Sequence, residues 1–339
     1  MSGARAETLL RQLTPEQQVG QLFLIRCPQE EEEAVIRRYQ PGGLVLFSVD
    51  FEGRTAAQCQ SRMEALQRVS RVPMIVSADE EGGTVCRVSR QKQLRREKFP
   101  APRALYAADG WDALEADCLE KCALLRQVGV NVNLAPVCDL SDDPAHFIYP
   151  RSISGDPAMG ERFAREMTEL SRQCGIGTVL KHFPGYGGNA DTHVGLSRDP
   201  RPLEQFRRCD LRPFAAGIRA GCGAVMMSHN IVECVDDSRP ASLSAPMHAL
   251  LRQELGFDGV VITDDLKMDA VSGFWKPEEA AVQAVLCGND MLCVSDWQTQ
   301  LPAVLQAAEE GILPSARLQE ACLRVLRWKE QLGLLKTGK

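Results

Sequence analysis

The sequence lacks the features that mark nucleic-acid-binding and membrane-spanning proteins. Its 339 residues carry 39 lysines and arginines against 45 aspartates and glutamates, a formal net charge of −6. A general nucleic-acid binder needs a basic surface for its phosphate contacts. No apolar run approaches the length of a membrane span, and the N-terminus lacks the apolar core of a signal peptide. We therefore expect neither a nucleic acid nor a membrane as partner.

Recognisable metal and nucleotide motifs are also missing. The thirteen cysteines are an odd number and form no Cys-x-x-Cys pair and no zinc-spaced Cys/His cluster. The acids and histidines have no ligand spacing either, so we expect no metal and no other cofactor. Scattered free thiols are typical of a reducing compartment, and the chain is predicted to be cytoplasmic.

What the sequence does contain is a regular alternation of short apolar runs and helical patterns. The runs predicted as strands are Gln21–Ile25, Gly43–Phe47, Met74–Ala78, Asn131–Val137, Thr178–His182, Ala224–His229, Val260–Thr263 and Met291–Val294. The helical patterns between them include Ala56–Val69, Trp111–Val128, Ala158–Cys174, Leu203–Ala220, Ser244–Leu255, Pro277–Leu286 and Trp297–Glu310.

This alternation predicts an α/β fold, a (β/α)8 TIM-type barrel. No break in composition divides the chain, so we expect a single domain over residues 1–339, with a C-terminal helical segment at about 314–335. A doubly wound open sheet is the alternative. It gains no support, because no predicted strand is followed by Gly-x-Gly-x-x-Gly.

Polar residues gather where the predicted strands end. They are Asp79, Asp139, Lys181-His182, Ser228-His229-Asn230, Asp264-Asp265 and Ser295-Asp296. In a barrel these strand ends share one face, on which active sites are built. The pattern therefore predicts a site at that face.

The loop from Lys181 to His193 concentrates reactive side chains. It holds two of the five histidines, a lysine and an aspartate among glycines. Asp191 and His193 are one residue apart, so the carboxylate can orient and polarise the imidazole. An ordinary Gly-rich surface loop is the alternative interpretation.

Two further groups of acids have both functional and structural interpretations. Asp264 and Asp265 follow an apolar strand, where an aspartate can be a nucleophile, a metal ligand or a helix cap. Because neighbouring side chains on a strand point to opposite faces, at most one of them points straight into the barrel mouth. Asp79 and Arg87 can grip sugar hydroxyls or form a structural ion pair, and Arg151 stands in a comparable loop.

Five motifs occur in order over nearly the whole chain. They are Asp79-Glu-Glu-Gly-Gly, Arg151-Ser, Lys181-His-Phe-Pro-Gly, Asp191-Thr-His193 and Gly259-Val-Val-Ile-Thr-Asp264-Asp-Leu. Together they resemble glycoside hydrolase family 3, in its single-domain β-N-acetylglucosaminidase (β-N-acetylhexosaminidase) branch. The β-glucosidases of that family usually carry a second α/β domain and lack the Asp-x-His loop, so the loop and the chain length favour this branch. The sequence departs from the family pattern at Tyr186, where histidine is usual, and at Lys267, where a small residue is usual.

The resemblance implies an exo-acting, retaining glycosidase that removes terminal non-reducing GlcNAc from peptidoglycan fragments or chitooligosaccharides. It implies Asp264 as the nucleophile and His193 as the acid/base, with Asp191 as its partner. By similarity, the residues that line the glycosyl subsite would be Asp79, Arg87, Arg151, Lys181 and His182. We add His229, which ends the sixth predicted strand.

Three other functions remain open from the sequence. A neutral histidine acid/base repels phosphate less than a glutamate does, so a β-N-acetylglucosaminide phosphorylase is one alternative. A barrel lyase or aldolase that uses Lys181 as a Schiff-base amine is the second. The third is a relative that binds GlcNAc without catalysis.

Overall fold

Eight parallel strands form the barrel within residues 3–189 and 195–335, the part of the chain that the structure, a computed structural model, describes. They are β1 (Phe23–Arg26), β2 (Gly43–Leu46), β3 (Ile75–Ala78), β4 (Val132–Asn133), β5 (Gly177–Phe183), β6 (Ala224–Met227), β7 (Val260–Thr263) and β8 (Leu292–Val294). Their order in the sheet is β7-β6-β5-β4-β3-β2-β1-β8. A bridge between Ile262 and Met291 joins β7 to β8. The predicted barrel is therefore confirmed.

Helices alternate with these strands, as the barrel fold requires. They are Ala4–Leu10, Pro15–Gln21, Glu32–Tyr39, Ser48–Phe51, Ala56–Val69, Pro102–Gln127, Pro157–Gln173, Leu203–Arg208, Leu211–Arg219, Ala245–Ala249, Asp269–Ser272, Pro277–Cys287, Trp297–Glu309 and Ser315–Gln331. A 3-10 turn covers Ala241–Leu243, and a π-helical turn covers Leu250–Glu254. Short strand pairs join Glu80–Gly82 to Val85–Cys86 and Arg198–Asp199 to Ile231–Val232.

The fourth strand is shorter than the sequence predicts. The apolar run Asn131–Val137 predicts seven residues, but the strand covers only Val132–Asn133. Pro136 has no backbone N–H to donate to a ladder. Beyond the strand, carbonyl oxygens of this segment still accept from β5, with Val179 N 3.0 Å from the Ala135 oxygen.

The predicted helix Leu203–Ala220 is wrong as a single element. It is divided into Leu203–Arg208 and Leu211–Arg219. Pro213 causes the break, because a proline cannot donate to the carbonyl four residues earlier and its ring clashes with that group. The proline instead occupies the first turn of the second helix, where a missing N–H costs nothing.

Apolar side chains fill the barrel interior and its lower end, where the strands begin. The interior cluster includes Leu24, Val45, Ile75, Val132, Val179, Ala224, Val260 and Met291, together with Val325 and Trp328 of the C-terminal helix. Trp328 approaches Gly223 so closely that a Cβ there would lie 2.0 Å from the indole nitrogen. Trp328 thus fills the interior near the start of β6, and the polar strand ends lie at the other end of the barrel.

Candidate active site

A cavity of about 380 Å³ lies at the carboxyl ends of the barrel strands. The predicted site residues in its wall are Asp79, Arg87, Arg151, Lys181, His182 and Asp264. Cavities of about 300–1,000 Å³ hold small organic ligands, so this one has room for a sugar unit. Six side chains from five separate regions of the sequence therefore meet at one place.

Lys181 lies at the centre of this group. Val179 belongs to the barrel interior, so the two-residue period of β5 also directs Lys181 inward. Its ammonium is 2.6 Å from Asp79 Oδ1 and 2.6 Å from Glu81 Oε1. The side chain is only 2% exposed.

The charge on Lys181 is fixed by its two carboxylates. Burial by itself would lower the pKa of the amine, but Asp79 and Glu81 outweigh it and raise the pKa above the ordinary value. A Schiff-base lysine needs a lowered pKa so that its amine is free to attack. This environment therefore argues against the lyase or aldolase alternative.

Glu81 is a site residue that the sequence did not single out. It is buried and pairs bidentately with Arg151, at 2.9 and 2.8 Å. Burial would raise the pKa of this carboxyl, but Arg151 and Lys181 hold it well below its ordinary range. Glu81 is therefore a permanent anion that holds two cations against the cavity.

His182 is held in one orientation from both sides of its ring. Its Nδ1 lies 2.7 Å from Asp139 Oδ2, and its Nε2 lies 3.2 Å from Arg151 Nη2. Since arginine can only donate, Nε2 accepts and Nδ1 carries the proton that is donated to Asp139. The arrangement fits a neutral imidazole whose polar edge is committed to positioning.

Asp139 and Tyr186 both help to hold the His182 ring. The carboxylate accepts from the backbone N–H groups of His182 and Tyr186, at 3.0 and 2.8 Å. The Tyr186 ring is buried and packs against His182 and Phe147, with ring centres 5.1 and 5.0 Å apart. Tyr186 thus supports the His182 ring as part of the site's apolar backing.

Asp264 and Asp265 both line the cavity, but they have different hydrogen-bond partners. Asp264 follows β7, its N–H donates to the Met227 carbonyl at 3.0 Å, and its Oδ1 accepts from Asp265 N at 2.8 Å. Asp265 accepts from Lys267 N at 3.0 Å and from the backbone and hydroxyl of Ser295. Asp265 therefore ties the loop after β7 to the end of β8.

His229 is fully buried behind this loop. Its Nε2 lies 3.1 Å from the Asp265 carbonyl oxygen and its Nδ1 lies 2.7 Å from Ser242 Oγ. Burial lowers the pKa of His229 below its ordinary value, against the opposing charge of Asp264. The neutral ring therefore donates from Nε2 and accepts at Nδ1, and it holds the backbone that carries the two aspartates.

The predicted acid/base residues Asp191 and His193 lie outside the described residues. The segment that leads to them is anchored, because Asn189 Nδ2 donates to Asp199 Oδ2 at 2.8 Å. Arg201 binds Asp199 and Asp210, at 2.8 and 2.9 Å, and lies against Gly187. Gly187 has φ 54°, and a Cβ at this position would meet the Arg201 guanidinium at 2.6 Å.

Within residues 3–189 and 195–335, no group of three or more His, Cys, Asp or Glu side chains is arranged to hold a metal ion. Every helix in the same ranges is too short or too polar to cross a membrane.

The sequence profile described as the Glycosyl hydrolase family 3 N terminal domain matches residues 14–328. The chain belongs to glycosyl hydrolase family 3. The family predicted from the five motifs is thereby confirmed.

Two similar proteins are β-hexosaminidases. The chain is 32% identical to Beta-hexosaminidase LpqI of Mycobacterium tuberculosis (strain ATCC 25618 / H37Rv), over 94% of this chain and 83% of that protein. It is 29% identical to Beta-hexosaminidase A of Pseudoalteromonas piscicida, over 90% of this chain but only 56% of that protein.

A solved structure shares the fold. The glycoside hydrolase family 3 β-N-acetylglucosaminidase of Paenibacillus sp. str. FPU-7 superposes with a TM-score of 0.88 at 31% identity, over 96% of this chain and 64% of that one. The chain therefore spans just under two thirds of this structure and just over half of the Pseudoalteromonas protein. The chain is thus similar to β-hexosaminidases along nearly its whole length.

Proposed function

We propose that this glycoside hydrolase is an exo-acting β-N-acetylglucosaminidase that releases terminal GlcNAc with retention of configuration. The observation that carries the proposal is the cavity in which Asp264 shares a wall with Asp79, Arg151, Lys181 and His182. Asp264 thus lines the same cavity as the interlocked ions of Asp79, Arg151 and Lys181. The kinship with β-hexosaminidases supports the same activity.

The charged set is suited to binding sugar hydroxyls. Lys181 and Arg151 are anchored by Glu81, so their remaining donors point from fixed positions. Asp79 supplies acceptor oxygens beside them. Preorganised donors and acceptors bind a polyol without having to be ordered at the moment of binding.

In the proposed first step, the Asp264 carboxylate attacks C1 of the sugar as the glycosidic C1–O bond breaks. His193 donates a proton to the departing oxygen, and a glycosyl ester of Asp264 forms. In the second step, His193 takes a proton from water, which attacks C1 and releases Asp264. Asp191 would hold the His193 tautomer and stabilise its imidazolium.

The remaining predicted residues have assigned roles in the proposal. Arg87 binds the sugar beside Asp79, and His182 lines the same subsite while it holds Arg151 in place. His229 acts as a positioning residue, since it grips the Asp265 carbonyl behind the nucleophile. Peptidoglycan fragments and chitooligosaccharides, both ending in GlcNAc, are the proposed substrates, and cytoplasmic location remains a prediction.

The nucleophile is tested with 4-nitrophenyl β-N-acetylglucosaminide. We expect Asp264→Asn to lower kcat/KM by at least about 1,000-fold, because the attacking group is lost. Asp258→Asn is the matched control, since its side chain is 82% exposed on the turn before β7. Mass spectrometry of rapidly quenched enzyme should find one N-acetylhexosamine on the peptide that carries Asp264. Full activity in Asp264→Asn would refute the assignment.

The acid/base is tested by varying the leaving group. His193→Ala should slow a natural disaccharide more than the activated aryl glycoside, because a good leaving group needs less protonation. Equal losses on the two substrates would count against the role of His193. Release of GlcNAc 1-phosphate that depends on added phosphate would identify a phosphorylase, and binding without turnover would identify a non-catalytic relative.

A further inference from the structure

Two arginines lie against one aromatic ring in the wall of the cavity. Arg26 is the last residue of β1, Phe47 follows β2, and Arg87 lies in the segment after β3. The Arg26 Cζ is 4.8 Å from the centre of the Phe47 ring, and the Arg87 Cζ is 5.2 Å from the same centre. All three residues line the cavity.

The positive charge of this pair is poorly compensated. Within the described ranges, Arg26 forms no ion pair, and its guanidinium packs on the Phe47 ring. Arg87 has only a long contact of 3.6 Å with Asp79, whose other oxygen is already 2.6 Å from Lys181. The buried Nε of Arg87 has no hydrogen-bond acceptor among the described residues. A cation–π contact at an exposed site is weak, so the Phe47 ring compensates two adjacent cations poorly.

The position of the two arginines in the barrel indicates that they face the terminal sugar of the substrate. This step rests on the proposed function, in which Asp79 and Lys181 bind the sugar and the acid/base loop follows β5. In the closed order of eight strands, β1 is the fourth neighbour of β5 and so lies across the barrel from it. Lys181 would hold the terminal sugar from the β5 side of the cavity, whereas Arg26 faces that sugar from the β1 side. Arg87 reaches the same Phe47 ring from the segment after β3.

We propose that Arg26 and Arg87, held on Phe47, bind an anionic ester group on the terminal N-acetylhexosamine. Phosphate and sulfate share the required chemistry, because both present several oxygens to the planar fork of a guanidinium. Arg26 is then a specificity-determining residue, and the preferred substrates are GlcNAc glycosides that carry a negative charge on the sugar itself.

The inference is tested by the ratio of kcat/KM for charged substrates to kcat/KM for the uncharged one. We would compare kcat/KM for 4-nitrophenyl β-N-acetylglucosaminide with that for its 6-O-phosphate and 6-O-sulfate. The wild-type enzyme should prefer a charged substrate by about ten-fold, the factor that one charge-assisted hydrogen bond supplies, and mainly through KM. Arg26→Gln should bring the ratio close to one. A preference for phosphate but not sulfate would identify the phosphate ester as the ligand.

The matched control is Arg38→Gln. Arg38 also lies on an aromatic ring, with its Cζ 5.0 Å from the centre of Tyr39, but it belongs to the helix Glu32–Tyr39 and is exposed away from the cavity. Its substitution should leave the preference ratio as it is in the wild type. The inference is overturned if the wild type shows no preference for either charged substrate, or if Arg26→Gln keeps the wild-type ratio.

Binding measured by calorimetry tests the anion site independently of the proposed hydrolytic function. Free GlcNAc 6-phosphate should bind the wild type about ten-fold more tightly than it binds Arg26→Gln, whether or not any glycoside is hydrolysed. Absence of turnover with tight binding would refute the proposed function and support the anion site, and equal affinities would refute the anion site. If Arg26→Gln impairs only a disaccharide whose aglycone carries a carboxylate, the placement on the terminal sugar is wrong.

Discussion

The barrel buries one lysine near each end, and the two ammonium groups have different partners. Lys181 is 2% exposed and pairs with Asp79 and Glu81, both at 2.6 Å. Lys329 is fully buried near the start of the strands, where its ammonium lies 2.6 Å from Gln21 Oε1, a neutral acceptor. Two carboxylates surround the first amine and an amide oxygen meets the second.

The pKa values follow from these partners. Asp79 and Glu81 overcome burial and raise the pKa of Lys181, whereas burial lowers the pKa of Lys329 to about 7. Lys181 is therefore a fixed cation that faces the cavity, and Lys329 is close to losing its charge within the packed end of the barrel. At the carboxyl ends of the strands, the upper end of the barrel, paired charges face the cavity. At the lower end, the buried charge of Lys329 destabilises the folded state.

The largest effect is expected when the upper lysine is replaced. Lys181→Met leaves Asp79 and Glu81 without a shared cation, so the free energy of unfolding should fall by about 3–5 kcal/mol. The value of kcat/KM for the 4-nitrophenyl substrate should fall at least about 100-fold, because the sugar also loses a charged donor. Urea denaturation and steady-state kinetics measure the two effects. Unchanged activity in a folded Lys181→Met protein would remove this residue from the subsite.

The same substitution at the lower end should have the opposite sign. Lys329→Met removes a charge that is costly to bury, so at pH 6 the variant should be more stable than the wild type by about 1–3 kcal/mol. Its kcat/KM should stay near the wild-type value, since Lys329 lies far from the cavity. Lower stability at pH 6 would show that Lys329 is compensated better than its single hydrogen bond indicates.

The contribution of Lys329 to the free energy of unfolding should also depend on pH. The folded pKa of Lys329 lies below the ordinary lysine value of 10.5, so between about pH 7 and 10.5 the unfolded chain binds more protons at this residue. The contribution of Lys329 to the free energy of unfolding therefore rises with pH in this window. The advantage of Lys329→Met at pH 6 should shrink toward pH 10, which urea titrations of both proteins at several pH values measure. An advantage that stays constant would contradict the assigned pKa.

The smallest effect is expected at Gly223 in the lower end. A Cβ at this position would lie 2.0 Å from Trp328 Nε1, so Gly223→Ala should force Trp328 to move. Overpacking of this kind costs at least about 1 kcal/mol of unfolding free energy. The site lies at the other end of β6, so kcat/KM should be unchanged. A loss of activity without a loss of stability would contradict the assignment of ligand binding to the upper end of the barrel and of packing to the lower end.

Local sequence patterns were most informative for the strands. Val260–Thr263 was predicted with the bounds that β7 has, and Gly43–Phe47 extends only one residue beyond β2. The errors came from prolines within apolar or amphipathic runs, Pro136 in the predicted fourth strand and Pro213 in the predicted helix. In both cases the backbone requirement of proline prevailed over the hydrophobic pattern.

The candidate site was predictable only in part. Asp79, Arg151, Lys181 and Asp264 were singled out from motifs, and the structure brings them to one cavity. Glu81 was missed because the arginine that gives it a role is 70 residues away in the chain. His229 stood at a strand end with the same polar signal as Lys181, and only the fold shows that it faces the backbone of Asp265 instead of the cavity.

The sequence by itself determined the barrel, the family and the side of the barrel on which polar residues gather. These depend on periodicity and on motifs that are continuous along the chain. The tertiary structure decided which buried charges are compensated, that Tyr186 supports His182, and that Arg26 and Arg87 share one aromatic ring. Such relations depend on distances of a few ångströms between residues far apart in sequence, which no local pattern specifies.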